Sequence, residues 1–515
     1  MVKNASNLKG TIFANSLWNV MASLIGRAGA LVFTIIIARA LLPETFGIYS
    51  LALSIAVFCL TFTDLGINQA LIIYVSTYLK NNKSKARSYF IALMRYKLIM
   101  TLSVAGIIIL ASYPLSFFIF NKPDLFVPLL FIGGYIVITS IEGFLESLFY
   151  AFNKVSYMTS KEIIFQATRL ILSILVLTLV ATSSYVAGLV GALILTMVAV
   201  IVYVVLSLRK IGKFIFERGE SLDIDKVGLL KFIGYISVGI TAAALFASID
   251  IIMLGIFVPS EYIGFYKAAF TLVSSIIGIL TFYNIFLPVF SKLGNEKTEE
   301  MFNTIFKYLS IIGLPAVFGL LSIGPYVLKA VYGDSYIPAT PILYILAPLI
   351  FIELLAALVS SVFSAKKKPE YLAKIMLFSL VLNVLLNLSL ITLLLKNSAI
   401  LATIGVGAAT VISKLVYLIV LFFLLIKVMK VRAKLGVVIK PLAASIIMSI
   451  CLILINKSIS DMNWFWGGLE IIAGIIVYGI IIILIGAINK SEIKMFYSFF
   501  RALVPARPPE TPLHS

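Results

Sequence analysis

The stretch ARALLPETFGIYSLALSIAVFCLTFTDLGINQA, residues 38–70, consists of a Pro/Gly turn and then a long apolar helix with one carboxylate, Asp64, near its far end. The turn recurs later in the chain. LLPETFGIY (41–49) matches FVPSEYIGFY (257–266) at a proline, a glycine and a tyrosine, with one residue inserted. Such a repeat indicates that the chain is built from two similar halves. In hydrophobic chains this plan is typical of transporters, whose substrate site lies between the repeats.

The composition indicates that the solvent of this protein is lipid. Of its 515 residues 61% are hydrophobic and 12% are charged, and the mean hydropathy is +1.11. Soluble domains carry about 25% charged residues. A formal net charge of +19 can indicate a nucleic-acid partner, but basic cytoplasmic loops explain it better, so no nucleic acid is expected. The first apolar segment, 12–38, is too long for a signal-peptide core and is interpreted as a retained helix.

Several kinds of chemistry are disfavoured. Cys59 and Cys451 lie in apolar runs, and the single histidine, His514, lies in a Pro-rich tail, so neither a disulfide nor a metal site nor another cofactor is predicted. No GxxxxGK[ST] motif occurs, which argues against an ATP-driven pump. No large outer loop carries clustered acids or a histidine. We therefore predict a protein that is not an enzyme.

The predicted fold class is an all-α polytopic membrane protein. A span needs about 20 mostly apolar residues. Fourteen stretches qualify, and the split between the fifth and the sixth depends on only Thr182–Ser184. These spans are 12–38, 47–74, 93–120, 125–152, 162–182, 185–208, 228–257, 262–290, 304–331, 339–363, 371–395, 399–426, 437–456 and 463–487.

The basic residues predict the orientation. With the N-terminus inside, most of the 41 Lys and Arg fall in cytoplasmic segments, and the outer segments hold only Arg39, Lys122, Lys329, Lys396 and Lys457. This bias predicts a multi-pass protein of the cytoplasmic membrane with both termini in the cytoplasm. We expect two pseudo-repeated six-helix lobes around a central cavity. The predicted units are an N-terminal lobe 1–208, a cytoplasmic linker 209–227, a C-terminal lobe 228–426, an extra helix pair 427–490 and a cytoplasmic tail 491–515.

Charged and polar residues recur on single faces of the predicted spans. Such stripes include Glu142 and Glu146 in the fourth span, Glu162, Gln166, Arg169 and Ser173 in the fifth, and Lys267, Thr271, Ser274 and Gly278 in the eighth. A charge at the bilayer centre costs about 2.5–3.5 kcal/mol on insertion scales, so such residues face a bundle interior or a wet cavity. The candidates for binding a substrate in the cavity are Arg27, Arg169, Lys267, Lys414, Asn383 and Asn387. The candidates for cation coupling or ion pairing are Asp64, Asp250, Glu142 and Glu146.

Structural roles compete with these functional ones. Asp64 and Asp250 are also compatible with capping a backbone or pairing with an arginine, and Asn383 and Asn387 with joining helices. Arg95 and Lys97 lie near a cytoplasmic helix end and are expected to extend to the interface. For Glu470, in the extra helix pair, a local hydrogen bond is expected.

Several motifs together resemble the polysaccharide-export flippases of the multidrug/oligosaccharidyl-lipid/polysaccharide (MOP) superfamily. They are IIIARALLPETFGIYSLALS, TDLGINQAL, IDIIMLGIFVPSEYIGFYKAAF (249–270), LPVFSKL (287–293), VLKAVYGDSYIPATPILYIL (327–346), Asn383, Asn387 and GVGAAT (405–410). The resemblance extends best over 10–426. It departs from the family pattern at Ile72–Ile73, where a basic residue often follows the DLG segment.

The resemblance implies a transporter that flips a polyprenyl-diphosphate-linked oligosaccharide from the cytoplasmic to the outer leaflet for cell-surface glycan assembly. The implied partners are this lipid-linked substrate, the bilayer, and glycosyltransferases or a polymerase of the same pathway. A cationic cavity between rocking halves suits an anionic head group. The alternatives are a multidrug or cation-coupled antiporter, a flippase for a peptidoglycan precursor, a membrane-embedded enzyme of glycan assembly, and a scaffold for the glycan machinery.

Overall fold

A computed structural model describes residues 2–458 and 464–487, except 80, 216, 218–221, 282–289 and 292. The tail 491–515 and most of the LPVFSKL stretch lie outside these residues. The described part contains α-helices and short helical turns, which confirms the all-α class. Its α-helices are α1 Val2–Asp64, α2 Ile67–Tyr78, α3 Lys83–Pro114, α4 Phe126–Ala151, α5 Ser156–Leu179, α6 Tyr185–Ile211, α7 Lys226–Phe257, α8 Ser260–Leu280, α9 Asn295–Tyr332, α10 Thr340–Leu346, α11 Leu349–Ala365, α12 Pro369–Leu394, α13 Ala399–Met429, α14 Ile439–Ser458 and α15 Trp464–Leu484.

The predicted count of fourteen spans is not confirmed. In the described part, eleven helices are long and apolar enough to cross a membrane, or twelve if the bent pair Asp334–Leu346 and Leu349–Ala365 is one span. The first two predicted spans both lie in α1, and α7 contributes a shorter apolar segment, Thr241–Phe257. The predicted split at Thr182–Ser184 is confirmed, because a single 3-10 turn there separates α5 from α6.

Helix α1 is kinked at the Pro/Gly turn. Leu42 has φ 60° and ψ 169°, outside the helical region, and Pro43 follows it. A proline removes one backbone donor and disfavours the α conformation of the residue before it. The kink therefore follows from the local sequence, and it divides α1 into two arms of different direction.

The two copies of the repeated turn pack against each other. A Cβ atom on Gly47 would overlap the carbonyl oxygen of Ser260, and a Cβ atom on Gly264 would overlap the carbonyl oxygen of Pro43. The contact is thus reciprocal, as expected when two copies of one motif meet. Only glycine permits such close backbone approach. The repeated glycines therefore fix the contact between the first half of the chain (α1–α6) and the second half (α7–α13).

The predicted second span, 47–74, is broken where α1 ends. Leu65 and Gly66 both have positive φ, 41° and 86°, and α2 begins at Ile67. The Asp64 Oδ1 atom accepts a hydrogen bond of 3.0 Å from the backbone N–H of Asn68. The DLG segment is therefore a turn between two helices, and its carboxylate satisfies a backbone donor in the first turn of α2.

The two halves are also joined where α7 and α9 end, on the predicted outer side. Arg39 donates from Nε to the Val331 carbonyl oxygen at 2.7 Å and from Nη2 to that of Ala330. Lys122 donates to the carbonyl oxygens of Gly255 at 2.8 Å and Val258 at 3.0 Å. Cations stabilise helix C-termini, where free carbonyls and the helix dipole carry partial negative charge. We call these two cations the outer clasp.

The C-terminal helix pair packs on α9, apart from the contact between the two halves. The hydroxyls of Ser322 and Ser449 lie 2.7 Å apart, and the Tyr478 hydroxyl donates to the Ile311 carbonyl oxygen at 2.8 Å. Small and hydroxyl-bearing residues commonly join helices in this way within a membrane. Helices α14 and α15 are therefore attached to the second half, as an addition to it.

Candidate functional site

Two glycines on the arm of α1 that precedes the kink bring α5 close to Arg27. A Cβ atom on Gly26 would lie 2.9 Å from Glu162 Oε1, and one on Gly29 would lie 2.5 Å from the Gln166 Cδ atom. Gln166 uses this room to donate from Nε2 to the Gly26 carbonyl oxygen at 3.2 Å. The segment Gly26–Arg27–Ala28–Gly29 thus carries a cation and, through its glycines, admits the polar face of α5.

Three carboxylates surround one lysine in the first half of the chain. Lys161 Nζ lies 3.1 Å from Glu146 Oε1, 3.8 Å from Glu142 Oε1 and 3.9 Å from Glu162 Oε2. Glu142 is only 5% exposed, and its Oε1 atom has no hydrogen-bond partner. The sequence places Lys161 in a cytoplasmic segment just before the predicted span 162–182. That position gives no sign of its contacts with three glutamates. The glutamates predicted on α4 therefore belong to a buried cluster that α5 completes.

Arg169 continues this cluster along α5. It donates from Nη2 to Gln166 Oε1, while Gln166 Nε2 donates to Glu162 Oε1 at 2.6 Å. The guanidinium lies over the ring of Phe33, 4.1 Å from its centroid, and its buried Nε has no hydrogen-bond acceptor. Cation–π contact stabilises the charge without satisfying this N–H donor. Arg169 therefore retains a donor for a further acceptor.

Arg27 reaches across to the second half. Its Cδ lies 3.0 Å from the position that a Cβ atom on Gly278 would occupy. Gly278 is the last member of the predicted polar stripe of α8, which begins at Lys267 and includes Thr271 and Ser274. Lys267 and Gly278 are eleven positions apart, which places them on one face of α8 about 16 Å apart along the helix axis, with Arg27 at the Gly278 end. Within the described residues, no carboxylate lies within ion-pair distance of either cation.

Lys414 is already neutralised by a neighbour. Its Nζ lies 2.8 Å from Glu353 Oε1 and 4.4 Å from the centroid of the Phe246 ring. The pair is partly open, with side-chain exposures of 15% for the lysine and 30% for the glutamate. Of the four predicted cavity cations, Lys414 thus has its charge matched by a carboxylate in this structure.

Asp250 is enclosed by neutral hydrogen-bond donors. Its Oδ2 accepts from the Tyr266 hydroxyl at 2.7 Å and from the Thr410 hydroxyl at 2.6 Å, and its Oδ1 accepts from Asn387 Nδ2 at 2.7 Å. Asn387 Nδ2 also donates to Asn383 Oδ1 at 3.2 Å. In the described part Asp250 has these neutral partners and no arginine, so the alternative of an ion pair with an arginine does not describe this structure. Its carboxylate instead joins α7, α8, α12 and α13.

Asn383 and Asn387 were predicted to bind substrate in the cavity. Both are 0% exposed and belong to the shell around Asp250. The alternative role of joining helices fits this placement. Asn387 Oδ1 is buried and has no hydrogen-bond partner, so the shell contains an acceptor that is not satisfied within the described chain.

Asp64 pairs with a lysine that the sequence analysis placed elsewhere. Lys97 Nζ lies 3.5 Å from Asp64 Oδ1, and the lysine side chain is only 2% exposed. The expectation that Lys97 extends to the membrane interface is therefore wrong. Spacing along α3 gave no signal for the pairing, because the partner belongs to another helix. Asp64 also caps α2, so the structure gives it two structural partners.

Comparisons with known proteins point to one class. The family model described as "Polysaccharide biosynthesis protein" matches residues 12–294, more than half of the chain, and that of "Lipid II flippase MurJ" matches residues 261–473. The teichuronic acid biosynthesis protein TuaB of Bacillus subtilis (strain 168) is 31% identical over 130 residues. This alignment covers 24% of the chain and 26% of TuaB, so the chain matches only about a quarter of that relative's length.

Two further similarities concern flippases. The probable low-salt glycan biosynthesis flippase Agl15 of Haloferax volcanii is 24% identical over 168 residues, which cover 32% of this chain and 36% of Agl15. The solved structure of the lipid II flippase MurJ in an inward closed conformation superposes with a TM-score of 0.70. It covers 94% of this chain and 99% of that one at 17% sequence identity, which shows a common fold.

Proposed function

Because the chain belongs to the polysaccharide biosynthesis protein family and is a multi-pass flippase-type transporter of the MOP superfamily, we propose that it flips a polyprenyl-diphosphate-linked oligosaccharide. The direction proposed is from the cytoplasmic to the outer leaflet. The observation that carries this proposal is the pair Arg27 and Lys267. These cations come from different halves, lie along one face of α8 and have no carboxylate partner among the described residues.

The chemistry of the substrate fits this arrangement. A diphosphate is anionic, its sugars are polar, and its lipid tail stays in the membrane. Arginine binds two phosphate oxygens with its planar fork, whereas lysine acts as a point charge. Arg169, whose Nε donor has no partner, is a third group that can donate a hydrogen bond to the same anion. Lys267 and the Gly278 position beside Arg27 are about 16 Å apart along α8, so the head group would contact one cation after the other.

The acidic residues support an anionic substrate over a cationic one. Asp64 pairs with Lys97, and Glu353 pairs with Lys414. Glu142, Glu146 and Glu162 all lie around Lys161, with Arg169 beside them, and Asp250 is fully enclosed. A cationic drug entering between the halves would therefore meet unpaired cations, which makes a multidrug antiporter the weaker proposal. A peptidoglycan precursor shares the diphosphate-lipid chemistry, so competition between head groups is the way to distinguish it.

The proposed cycle is alternating access, with the outer clasp closed in the structure described. Arg39 and Lys122 would release the ends of α9 and α7 when the halves separate on the outer side. We propose that Asp250 receives a coupling cation, because its three donors are neutral and the buried Asn387 Oδ1 offers a further oxygen ligand. Oxygen ligands are the ones that hard cations prefer.

The test is transport by charge variants of Arg27 in proteoliposomes that contain a fluorescent polyprenyl-diphosphate oligosaccharide. We expect Arg27→Ala to lower the initial rate of flipping about tenfold or more, equivalent to about 1.4 kcal/mol, and Arg27→Lys to retain part of it. Lys267→Arg should be tolerated better than Lys267→Glu. Lys154→Ala, at an exposed cation outside the proposed cavity, is the matched control. Normal flipping by all Arg27 and Lys267 variants at normal expression would refute the cationic cavity.

A further inference from the structure

The cluster around Lys161 has more negative than positive charge. With every carboxyl group ionised, Glu142, Glu146 and Glu162 outnumber Lys161 and Arg169 by one charge. An unbalanced charge within a membrane is costly, and a buried carboxylate usually becomes neutral by binding a proton. One proton makes the set neutral. The cluster can therefore bind one proton, which neutralises the carboxylate that its two cations leave unbalanced.

Glu142 is the member best placed to take that proton. Glu146 has the shortest contact with Lys161, 3.1 Å, and Glu162 Oε1 accepts the 2.6 Å hydrogen bond from Gln166. Glu142 lies 3.8 Å from Lys161, is 95% buried, and its Oε1 has no hydrogen-bond partner. A neutral carboxyl group at this position has a smaller desolvation cost than an ionised one. The unsatisfied oxygen therefore identifies the proton site within the cluster.

Ion pairs with Lys161, followed by hydrogen bonds along α5, join this site to Arg169. Glu162, which shares Lys161 with Glu142, accepts from Gln166 Nε2, and Gln166 Oε1 accepts from Arg169. Gln166 also contacts the carbonyl oxygen of Gly26, the residue before Arg27. It is therefore a positioning residue between the carboxylates and two cations proposed to bind diphosphate. A change at one end of this chain alters the hydrogen bonds available at the other.

We propose that Glu142 takes up a proton from cytoplasmic water when Arg169 binds the diphosphate, with Gln166 transmitting the effect. This inference rests on the proposed function for the identity of the anion. In the fraction of free molecules in which Glu142 is ionised, an anion bound at Arg169 adds to the excess negative charge of the set, and protonation of Glu142 relieves it. Because linkage is reciprocal, proton binding at Glu142 must strengthen diphosphate binding by the same factor.

The other titratable groups around Glu142 lie on α4 and α5. On α4 they are Glu146 and Tyr135, and on α5 they are Lys161, Glu162 and, through Tyr135, Arg169. From α2, the neutral Asn68 amide approaches the backbone of Gly143. Glu146 and Glu162 each have a closer positive or donor partner than Glu142 has, which is why the proton is assigned to Glu142.

The experiment measures proton uptake on binding of farnesyl diphosphate, a short anionic lipid probe, to the purified full-length protein. Calorimetry at one pH in buffers of different ionisation enthalpy gives the number of protons taken up per bound probe. We expect the wild type to take up more protons than Glu142→Gln, with a difference of up to one. Farnesyl diphosphate also exchanges protons on binding. That contribution is common to the wild type and Glu142→Gln, so it cancels when the two proton uptakes are subtracted. The wild-type affinity, relative to this variant, should rise up to about tenfold per unit fall in pH.

Two further variants make the result decisive. Glu142→Asp keeps a carboxyl group and should retain most of the extra uptake. Gln166→Leu keeps Glu142 but breaks the chain, and it should lose at least half of that uptake. Equal uptake by the wild type, Glu142→Gln and Gln166→Leu overturns the inference, and if Glu142→Gln does not purify, wild-type uptake by Gln166→Leu is enough to do so. Failure of the wild type to bind the probe at all would instead refute the proposed function.

Discussion

The tyrosines of the repeated turn have oppositely charged neighbours in the two halves of the chain. Tyr266 and Tyr49 occupy the same repeat position and both are buried, but the Tyr266 hydroxyl donates to Asp250, whereas the Tyr49 hydroxyl has no hydrogen-bond partner and is within electrostatic range of Arg169. Counting back from the two prolines, Thr34 takes the place of Asp250 in the first half. Thr34 donates only to the backbone of its own helix, at 2.8 Å.

The difference shows what the duplication kept and what it changed. The reciprocal contact of Gly47 and Gly264 depends on backbone geometry, and it is common to both copies. The polar groups one turn or more away have diverged, so that one tyrosine donates to a carboxylate, whereas the other has a guanidinium within electrostatic range and no hydrogen-bond partner. The shared backbone therefore serves the contact between the halves, and each half has acquired its own electrostatic task.

The largest loss of stability is expected from substitutions at the repeated glycines, where the two halves are alike. Gly47→Val and Gly264→Val each place side-chain atoms on a backbone carbonyl of the other half, which cannot be relieved by a rotamer change. Overpacking of this kind costs about 1–3 kcal/mol or more, and we expect most of the folded protein to be lost. Thermal unfolding followed by size-exclusion chromatography in detergent measures this. Gly106→Val, where a Cβ atom meets nothing within 4 Å, is the control and should be close to wild type.

The next effect is expected where the halves differ. Asp250→Asn replaces a carboxylate, which only accepts hydrogen bonds, by an amide whose NH₂ group is a donor. That NH₂ group would face the three donors that now bind the carboxylate. We expect a loss of about 1–3 kcal/mol in stability and flipping reduced about tenfold or more in a protein that still folds. Thr34→Val, at the equivalent position, should cost less than about 1 kcal/mol and leave flipping near normal. Similar results for both variants would remove the asymmetry between the halves.

A smaller effect is expected from the ion pair in the first half. Lys97→Met leaves Asp64 with its backbone donor but without its cation, and the lysine site is almost closed to solvent. We expect about 1–2 kcal/mol of destabilisation, less than for a fully buried pair because Asp64 is 24% exposed. Lys414→Met, in the more open pair of the second half, should cost less than about 1 kcal/mol. A larger loss of thermal stability for Lys414→Met than for Lys97→Met would contradict this ranking.

The smallest effect is expected at the outer clasp. Lys122→Gln and Arg39→Gln keep hydrogen-bonding capacity but remove the charge at a helix C-terminus, worth about 0.3–1 kcal/mol each. Each should raise the population of the outward-open state modestly, as reported by labelling of a single cysteine introduced on the predicted outer side of α8. Lys396→Gln, at a predicted outer position without such a contact, is the control. Labelling that falls in both clasp variants would mean that the clasp does not hold the halves together.

Much of this fold is predictable from the sequence, and the reasons are local. Apolar length places the helices, and Pro43 after Leu42 fixes the kink. The polar stripes on α4, α5 and α8 place Glu142, Gln166 and Lys267 on faces that meet other helices. The exact number of spans did not follow, because hydropathy does not show whether a kinked or bent helix crosses the membrane once or twice.

The pairing of the charges could not be read from the sequence. Whether Lys97 reaches the interface or Asp64, and whether Lys161 lies in a loop or among three glutamates, depends on which helices pack together. The sequence places Asp250 in span seven beside the repeated turn, but its neutral shell comes from three other helices. One sequence signal was available for that shell, since Tyr266 belongs to the repeated turn beside Asp250.

The most direct measurement of the central claim compares two lipids in the same proteoliposomes. One is a fluorescent polyprenyl-diphosphate oligosaccharide, and the other carries the same sugars and polyprenyl chain through a neutral linkage. If Arg27 and Lys267 bind the diphosphate, the wild type should flip the first lipid and not the second, and added salt should slow it by screening the contact. Equal rates for both lipids, unchanged by Arg27→Ala, would show that the diphosphate is not what this transporter recognises.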